Sequence, residues 1–328
     1  MSTSAAVNRP SEITGWPGSG ESIQRILRTW PYRPYLACPD TSSEGRVEYL
    51  FASLVSAQER GATTRVAPAD GEVQALAQWE LLPWDTQMLG FPVARISALY
   101  RFPSEVAFGF QKELLHDLVE EVRAAAVHYL MVRVPAGDIP AIGQLESLGF
   151  RMVDGILSFG RSLQDLPPQS GPDIVRTAGS QHISALREIA GASFSIDRFH
   201  SDPAIGPAKA DEVQRAWIEN SCTGLADCVL VVEVDGELAG FTTLKLDRLA
   251  ENKLGIRIGV IELVAVLPRF RRRGLAHALS LASLHWFHHA GCQWAEVGTQ
   301  VANIHAARVY QSAGFLLTAS SLTLRKLL

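Results

Sequence analysis

Hydrophobic and polar positions in the second half of the chain follow helix and strand periods in turn. After residue 174, IVRTAG has a strand-like pattern, and QHISALREIAGASF and ADEVQRAWIENS carry apolar residues at helical spacing. Two further strand-like runs, CVLVVEVD and ELAGFTTLKL, meet at Asp235-Gly236, a dipeptide typical of hairpin turns. The apolar strand GVIELVAV, the helix LAHALSLASLHWFHHA and the strand QWAEVGTQ follow, before a short helix and a last strand. The pattern predicts the element order β-α-α-β-β-β-α-β-α-β.

An internal repeat relates the two halves of the chain. Shifted by 165 residues, 70–163 aligns with 235–328 without a gap. The hairpin signal Asp70-Gly71 falls on Asp235-Gly236, and the strand-like runs HYLMVRV and ILSFGRSL fall on CQWAEVG and SLTLRKLL. We therefore predict an α/β fold of two tandem modules, each a mixed, mostly antiparallel sheet flanked by helices.

Domain boundaries follow from composition and from the repeat. Residues 1–20, rich in Ser, Gly and Pro, are expected to be a flexible N-terminal tail without the apolar segment of a signal peptide. Residues 21–163 form the predicted N-terminal domain, 164–173 a linker rich in Pro, Gly and polar residues, and 174–328 the C-terminal domain. Two helical runs before residue 70, IQRILRTW and VEYLFASLVSAQE, have no assigned place in this scheme.

The composition narrows the classes of protein. The chain has 328 residues, 47% of them hydrophobic, which is enough for two domains with cores of ordinary size. A formal net charge of −4 argues against a broad basic surface for nucleic acid. The sequence contains no apolar run of membrane-spanning length. The four cysteines lack disulfide or metal-binding spacing, so we expect free thiols and a cytoplasmic location.

A cationic loop interrupts the apolar pattern near residue 270. Residues 268–276 close the strand GVIELVAV and open a helix, which directs backbone N–H groups and a helix N-terminus toward one point. Such a point binds phosphate, and arginines add forked hydrogen bonds to phosphate oxygens. The spacing matches neither the P-loop nor the G-x-G-x-x-G fingerprint, and a solvated basic turn is the alternative. The residues expected to bind phosphate are Arg271, Arg272, Arg273, Gly274, Leu275 and Ala276.

A second motif lies before the last strand, in ANIHAARVYQSAGF. Asn303 suits the N-cap of a short helix, and Gly314 suits the left-handed residue at its end. Tyr310 lies two helical turns beyond Asn303, so both side chains project from nearly the same face of this helix. The first repeat has Asp138 and Leu145 at the two equivalent positions.

The two copies also differ at the cationic loop. The first copy has Val106-Ala107-Phe108-Gly109 where the second has Arg271-Arg272-Arg273-Gly274. The first copy is therefore expected to keep the glycine turn and to lack the cations that bind phosphate. We expect a cofactor in the C-terminal half only, with the N-terminal half as a structural or substrate-facing partner.

The motifs R-x-x-G-x-A and N-x-x-A-x-x-x-Y-x-x-x-G-F resemble the two signatures of the GNAT superfamily of N-acetyltransferases. The resemblance implies tandem GNAT-like modules, of which only the C-terminal one is a complete site for acetyl-CoA as acyl donor. It implies that Val264 and Val266 offer backbone N–H groups to the carbonyl oxygen and to the pantetheine amides. It places Asn303 in the cofactor site and Tyr310 beside the coenzyme A sulfur, where Tyr310 is a candidate general acid. Simple packing of the Tyr310 ring is the alternative.

Four further residues are candidates for the acceptor side. Glu262 interrupts an apolar strand, which suits either a base acting through water or a structural salt bridge. Arg198, His200 and Asp202 crowd the loop between the first two helices of the C-terminal half. They are expected to bind the acceptor substrate, and a helix-capping surface loop is the alternative.

A narrower resemblance concerns the acceptor itself. SIDRFHSDPAI, AWIENSCTGLADCVLVVEVDGELAGFTTL and LLPWDTQMLGFPVARI resemble segments of the TDP-fucosamine acetyltransferase group, which acts on dTDP-4-amino-4,6-dideoxygalactose. The resemblance implies N-acetylation of an amino sugar carried on a nucleotide. Two alternatives stay open. One is a different small-molecule amine, such as an antibiotic or a biosynthetic intermediate, and the other is a noncatalytic acyl-CoA-binding protein.

The expected partners follow from the same residues. We expect a small-molecule amine as partner, neither nucleic acid nor membrane insertion, and we leave a homodimer open. His285 and His289 share a helix face but lack a third ligand, so no metal is expected.

Overall fold

The computed structural model describes residues 20–69, 72–168 and 174–328. The expected flexible tail lies outside these residues except for Gly20, which begins the first helix. The described strands are β1 (Thr63–Ala69), β2 (Glu72–Leu81), β3 (Val93–Arg101), β4 (Tyr129–Pro135), β5 (Arg151–Ser162), β6 (Val175–Thr177), β7 (Cys228–Val234), β8 (Glu237–Leu246), β9 (Ile258–Val266), β10 (Trp294–Gln300) and β11 (Leu316–Leu327). The described helices are α1 (Gly20–Thr29), α2 (Ser43–Glu59), α3 (Pro83–Leu89), α4 (Glu105–Ala124), α5 (Ile139–Ser147), α6 (Ile183–Ser193), α7 (Arg198–Ser201), α8 (Pro207–Asn220), α9 (Arg248–Leu254), α10 (Leu275–His289) and α11 (Ile304–Ser312).

The eleven described strands form a single sheet flanked by helices. Their order is β1-β2-β3-β4-β11-β5-β10-β9-β8-β7-β6. Neighbouring strands are antiparallel except for β3 with β4 and β9 with β10, which are parallel. The predicted mixed, mostly antiparallel α/β architecture is confirmed. The prediction of a separate sheet in each module is corrected, because the two modules share one continuous sheet.

The C-terminal half follows the predicted order of elements. It runs β6, α6, α8, β7, β8, β9, α10, β10, α11 and β11, with the short helices α7 and α9 added. Asp235 and Gly236 both have positive φ in the hairpin between β7 and β8. The equivalent hairpin signal at 70–71 lies outside the described residues.

The repeat is reproduced in the pairing of the strands. Thr63 lies opposite Trp79 in the first half, and Cys228 lies opposite Leu244 at the positions 165 residues further on. Each half also has a β-bulge at the same place, where β2 meets β3 and where β8 meets β9. The two modules therefore share one register as well as one element order.

The two halves exchange their last strands. β5 of the first half pairs with β10 of the second, and β11 of the second half pairs with β4 of the first. β5 and β11 pair with each other at the centre of the sheet. Arg161 on β5 donates to the carbonyl of Ala313 after α11, and Lys326 on β11 donates to that of Leu148 after α5. Each half therefore completes the sheet of the other. Two domains joined by a linker at 164–173, as the sequence predicts, would not imply this exchange.

The two helical runs before residue 70 belong to the first module. α1 packs on α2 and β2, as α6 packs on α8 and β8. Apolar residues of α1 and α2 meet the sheet in one buried cluster, which includes Ile23, Leu27, Val47, Leu50, Leu54 and Leu76. The first module thus has the same helix pair as the second, which the sequence left unplaced.

Each half also covers part of the sheet of the other half. α2 packs on α9, and Cys38 joins Ile258 and Trp294 of the second half in a buried cluster. α8 packs on α3, and Phe199 joins Tyr129 of the first half in another. These two contacts cover the ends of one face of the sheet and leave its centre uncovered by them.

Candidate active site

A gap opens between the parallel strands β9 and β10. The two strands pair only between Ile258–Ile261 and Trp294–Val297. Beyond Ile261, β9 continues to pair with β8 alone. Where parallel strands diverge, backbone groups that a sheet would pair are left free. The gap therefore offers backbone donors to a bound molecule.

The free donors of β9 are the N–H groups of Val264 and Val266. Leu263 donates its N–H to the hydroxyl of Thr243 on β8 at 3.1 Å, and Leu267 donates its N–H to a β8 carbonyl at 2.9 Å. Because successive N–H groups of a strand point to opposite edges, those of Val264 and Val266 point into the gap. This geometry agrees with the role that the sequence resemblance implies for the two valines, which stays a prediction.

The cationic loop at the mouth of the gap has the backbone of an anion site. Arg272 and Gly274 have left-handed backbones, with φ of 64° and 76°. Gly274 is the N-cap of α10 and provides no side chain to cap it, so the first amides of α10 have no side-chain acceptor. Free amides at a helix N-terminus favour a phosphate.

The charges of this loop are not neutralised within the described part of the chain. Its three arginines are exposed, and no carboxylate lies within 4.0 Å of any of them. Arg271 instead donates to the carbonyls of Val266 and Ser193, at 3.2 and 3.1 Å, which ties the loop to β9 and α6. Arg269, just before the loop, pairs with Glu237. The loop thus presents cations to an anion from outside the protein.

The first half has no such loop. α4 begins at Glu105, and Ser104 caps it by accepting the N–H of Ala107 at 3.2 Å. Gly109 lies inside this helix, so the prediction that the glycine turn is kept is wrong. The physical reason is the earlier cap, which extends the helix over the positions that form a loop in the second half.

The gap of the first half is filled by its own side chains. Arg101, at the position of Val266, forms a two-pronged ion pair with Asp138, with distances of 2.9 and 2.7 Å. Its guanidinium also lies 5.9 Å from the ring of Trp30 and 6.0 Å from that of Phe108. A cofactor would have to displace this buried pair. The geometry therefore agrees with a cofactor site in the second half only.

Tyr310 is positioned by a capped helix and by two aromatic rings. Asn303 is the N-cap of α11 and accepts the N–H of Ala306 at 3.1 Å. The Tyr310 ring is 5% exposed and lies 6.0 Å from Phe159 and from Phe315. Burial raises the pKa of its phenol, which therefore stays protonated. Its hydroxyl has no hydrogen-bond partner among the residues of 20–69, 72–168 and 174–328, so the proton is available to a ligand.

Phe159 is a site residue that the sequence did not indicate. It lies on β5 in the first repeat, yet it packs on Tyr310 because the halves exchange their last strands. In the first half, Leu324 of β11 shares a buried cluster with Leu145, at the matching positions. No local motif distinguishes Phe159, since only the strand exchange brings it to α11.

Glu262 is the extra residue of a β-bulge. Leu244 lies opposite Ile261 and Thr243 lies opposite Leu263, so Glu262 is left without a partner on β8. Bulges re-aim side chains next to ligand sites. One carboxylate oxygen is 3.8 Å from the ammonium of Lys245, and the other is buried without a hydrogen-bond partner.

The environment of Glu262 suits a base. Burial raises the pKa of its carboxyl, while Lys245 lowers it and Asp227 raises it further. A raised pKa brings a carboxylate closer to the pH at which it exchanges protons efficiently. Both sequence interpretations, a base and a salt bridge, remain, because the contact with Lys245 is long for an ion pair.

Glu296 is a second unusual carboxyl that no motif indicated. It lies half-buried on β10, and the indole N–H of Trp294 donates to it at 3.3 Å. Burial raises its pKa to about 7, and the nearby Asp247 adds to the shift. Asp247 itself accepts the hydroxyls of Tyr35 and Tyr49. Glu296 thus belongs to a buried polar cluster between the two halves.

Glu296→Gln should reduce the loss of folding stability that accompanies a rise in pH from about 5 to about 8. In the folded protein the carboxyl is protonated below about pH 7, whereas in the unfolded chain it ionises near its ordinary value. It therefore destabilises the fold as the pH rises from about 5 to about 8, by about 1–2 kcal/mol after allowance for partial exposure. Urea unfolding at pH 5 and pH 8 measures this. An exposed control, Glu59→Gln, should keep the wild-type pH dependence, and an unchanged dependence in Glu296→Gln would contradict the assignment.

Asp202 is a buried anchor of α7. Its carboxylate accepts two bonds from Arg325, at 2.9 and 3.1 Å, and one from the hydroxyl of Tyr129 at 2.7 Å. It is only 1% exposed. Burial alone would raise its pKa, but these hydrogen bonds outweigh burial and lower it. Asp202 ties α7 to the first half of the sheet, and its role toward the acceptor stays a prediction.

Arg198 and His200 also have partners within the protein. Arg198 donates to Asp85 of α3 at 3.0 Å. The ring nitrogens of His200 lie 2.7 Å from Asp197 and 3.1 Å from Asp211. The loop is therefore anchored between the halves, in contrast to the surface loop of the alternative interpretation. A role of Arg198 or His200 toward the acceptor stays a prediction.

Exposed and partly buried residues lie at the centre of the sheet, on the face away from α10. Gly298 on β10 and Arg133 on β4 are exposed there, and Ile156 and Gln300 between them are partly buried. We call this surface the central groove. It begins at the gap between β9 and β10, and α7 borders it through the contact of Arg198 with β4. The central groove therefore runs from α7 to the gap between β9 and β10.

The described ranges contain neither a cluster of metal ligands nor a membrane-spanning helix. No three His, Cys, Asp or Glu side chains of that part of the chain are grouped as metal ligands. His289 lies 2.7 Å from the carbonyl of His285 through a ring nitrogen. None of the described helices is long and apolar enough to span a bilayer.

The chain is similar to known acetyltransferases in sequence. Residues 185–315 match the model of the acetyltransferase (GNAT) family. The spore coat polysaccharide biosynthesis protein SpsD of Bacillus subtilis (strain 168) is 24% identical over 252 residues, covering 75% of this chain and 81% of that protein. The aminoglycoside N(6')-acetyltransferase type 1 of Klebsiella aerogenes is 32% identical over 101 residues, covering 31% of this chain and 66% of that protein.

Two solved structures share the fold over nearly the whole chain. A GCN5-related N-acetyltransferase from Sphaerobacter thermophilus has a TM-score of 0.59 at 18% identity, covering 93% of this chain and 91% of that one. A tandem GNAT protein from the clavulanic acid biosynthesis pathway has a TM-score of 0.56 at 15% identity, covering 94% of both chains. The fold is thus that of tandem GNAT proteins, and residues 185–315 are similar to the acetyltransferase (GNAT) family.

Proposed function

We propose that this protein transfers the acetyl group of acetyl-CoA to the amino group of a nucleotide-linked amino sugar, such as a dTDP-4-amino-4,6-dideoxyhexose. The observation that carries the proposal is the arrangement in the second half. An open gap, an unpaired arginine loop and a buried phenol lie together in this half, and the polar central groove leads to the gap.

The donor side fits coenzyme A. Exposed arginines and the uncapped start of α10 suit a pyrophosphate, and the N–H groups of Val264 and Val266 suit the amides of the pantetheine arm. When bound, acetyl-CoA supplies an acetyl thioester. The matching region of the first half is closed by a helix and by the Arg101–Asp138 pair, so one donor site per chain is expected.

The residues around the gap divide the remaining work. The N–H of Val264 or Val266 binds the carbonyl oxygen as it gains negative charge. The raised pKa keeps the Tyr310 phenol protonated, and the phenol gives this proton to the departing sulfur. Glu262 accepts a proton from the acceptor ammonium, directly or through water, because only the neutral amine is nucleophilic.

The amino sugar rests on the sequence relatives and on the groove. The relatives described above are a polysaccharide biosynthesis protein and an aminoglycoside acetyltransferase, and both names concern sugar chemistry. The resemblance of three segments to the TDP-fucosamine acetyltransferase group favours a dTDP-linked acceptor. The central groove, lined by Arg133, Gln300 and Gly298, suits a polar ligand.

Release of free coenzyme A, measured against a panel of acceptors, tests the proposal. The panel contains dTDP- and UDP-linked amino sugars, glucosamine and an aminoglycoside. We expect turnover with nucleotide-linked amino sugars. Turnover only with amines outside this class would replace the acceptor, and acetyl-CoA binding without any turnover would indicate a noncatalytic binding protein.

Glu262→Gln should lower kcat/KM by roughly 100-fold near neutral pH. It should also remove the rise of kcat/KM through the raised pKa of Glu262, because glutamine cannot accept the proton. A pH profile of wild type and variant measures both. As a control, Glu233→Gln removes a carboxylate of β7 that pairs with Arg176 of β6, and this variant should behave like wild type. A variant that keeps the wild-type profile would make Glu262 a structural partner of Lys245.

A further inference from the structure

We propose that Arg133, in the N-terminal half, binds the phosphate group attached to the acceptor sugar. The inference deepens the proposed function and rests on it for the identity of the ligand. The observation behind the proposal is that the Arg133 guanidinium, which has no carboxylate partner, lies in the central groove that leads to the gap of the other half.

Arg133 is a solvent-exposed cation without an anionic partner. Its Nε–H donates to the hydroxyl of Thr323 on β11 at 3.2 Å, which holds the side chain across the sheet. No carboxylate among the residues of the three described ranges lies within 4.0 Å of it. The other two nitrogens of its guanidinium are therefore free to form a forked pair with an external oxyanion.

The surroundings of Arg133 make an anion favourable. The protein around it desolvates the guanidinium and lowers its pKa, and Arg198 and Arg95 lower it further, while Asp154 opposes this. Arg198 and Arg95 have their own carboxylates, Asp85 and Glu80, so Arg133 is the cation of this group that lacks one.

Asp154 does not neutralise Arg133. It is 8% exposed and lies opposite Thr323 on β5, beyond ion-pair distance of the guanidinium. Burial raises the pKa of its carboxyl, and the charge of Arg133, followed by bonds from the Gly155 N–H and the Gln300 side chain, opposes this shift. Asp154 therefore holds Gln300 on the floor of the groove, where a sugar hydroxyl can meet the amide.

The distance from the gap suits a hexose phosphate. The guanidinium lies over β11, which is separated from β10 by β5 alone. Measured from β10, the near edge of the gap, two strand spacings amount to about 9.5 Å. An amino sugar with its amine at the gap would extend its anomeric phosphate over β11. The second half needs no such cation of its own, because Gly298 stands at the position equivalent to Arg133.

The shared chemistry is a phosphate ester on the anomeric carbon, and two sources can supply it. One is a nucleoside diphosphate sugar, to which we commit, and the other is a sugar monophosphate. Both would place a phosphate at Arg133, and only the first adds a nucleoside. Binding of dTDP, UDP, inorganic pyrophosphate and glucosamine 1-phosphate, each measured separately by calorimetry, distinguishes them.

The experiment uses the full chain saturated with coenzyme A, so that the arginine loop is occupied. We expect dTDP or UDP to bind, and Arg133→Gln to weaken this binding roughly 10- to 100-fold. Arg133→Lys should restore part of the affinity. The matched control Arg65→Gln removes an arginine paired with Glu121 outside the groove and should change nothing. Thermal unfolding establishes that each variant is folded.

Each outcome decides the inference independently of acetyl transfer. Equal affinity of wild type and Arg133→Gln would overturn the role of Arg133. Absence of binding by all four probes would overturn a phosphate site, while coenzyme A release with unphosphorylated amines would leave acetyl transfer intact. Binding of glucosamine 1-phosphate alone would overturn the nucleoside diphosphate and keep a phosphate at Arg133. In turnover assays, Arg133→Gln should raise KM for phosphorylated acceptors only.

Discussion

Tyr310→Phe should lower kcat by roughly 100-fold or more while leaving the affinity for acetyl-CoA near the wild-type value. The substitution removes one oxygen and keeps the ring that packs on Phe159 and Phe315. Since the hydroxyl has no partner in the described structure, its loss should not destabilise the fold. Steady-state kinetics with saturating acceptor and calorimetry with coenzyme A measure the two quantities.

Two variants separate the proton of Tyr310 from its packing. Phe159→Leu perturbs the ring contact without removing the hydroxyl. It should lower the unfolding temperature and reduce kcat much less than Tyr310→Phe does. Tyr49→Phe removes a phenol hydroxyl that donates to Asp247, outside the gap, and should keep kcat at the wild-type value. If Tyr310→Phe turned over at the wild-type rate, the packing interpretation of Tyr310 would hold, and the proton would come from elsewhere.

The fold was largely predictable because its signals are local. Hairpin residues, helical spacing and the repeat at 165 residues yield the element order, and the pairing of Thr63 with Trp79 and of Cys228 with Leu244 follows it. The strand exchange was not predictable from these signals. Trp294 lies opposite Ser162 of β5, and unexchanged pairing with β11 would place Leu327, the equivalent residue, there instead. The repeat fits both arrangements equally.

In the candidate site, too, features that depend on sequence neighbours were predictable and features that depend on distant residues were not. The cationic loop and the cap of α11 depend on neighbours in the sequence, and their geometry is found where the motifs lie. Asp202 depends on Tyr129 and Arg325, which are distant in sequence, so a polar loop residue proved to be a buried anchor. Phe159 packs on Tyr310, and Arg133 lies in the central groove, only because the two halves share one sheet, and no motif surrounds either of them.

The arginine loop leads to the second large effect. Replacing Arg271 and Arg273 together by alanine should raise the KM and the Kd for acetyl-CoA by roughly 100-fold or more. Two charge-assisted contacts to phosphate contribute about 1.5–3 kcal/mol each. Because such contacts exist before and during the reaction, kcat should change little. Initial rates over a range of acetyl-CoA concentrations and calorimetry measure the change.

Arg269→Ala is the matched control for this loop. Arg269 and Arg273 both lie over the ring of Phe270, at 5.1 and 5.5 Å, but Arg269 is already paired with Glu237. Its removal should therefore leave acetyl-CoA affinity nearly unchanged, whereas a loss equal to that of the double variant would point to loop folding. Calorimetry should also find one coenzyme A per chain, since Arg101 and Asp138 close the first gap. Two bound molecules would mean that this ion pair opens, and the first half would then have to be regarded as a second donor site.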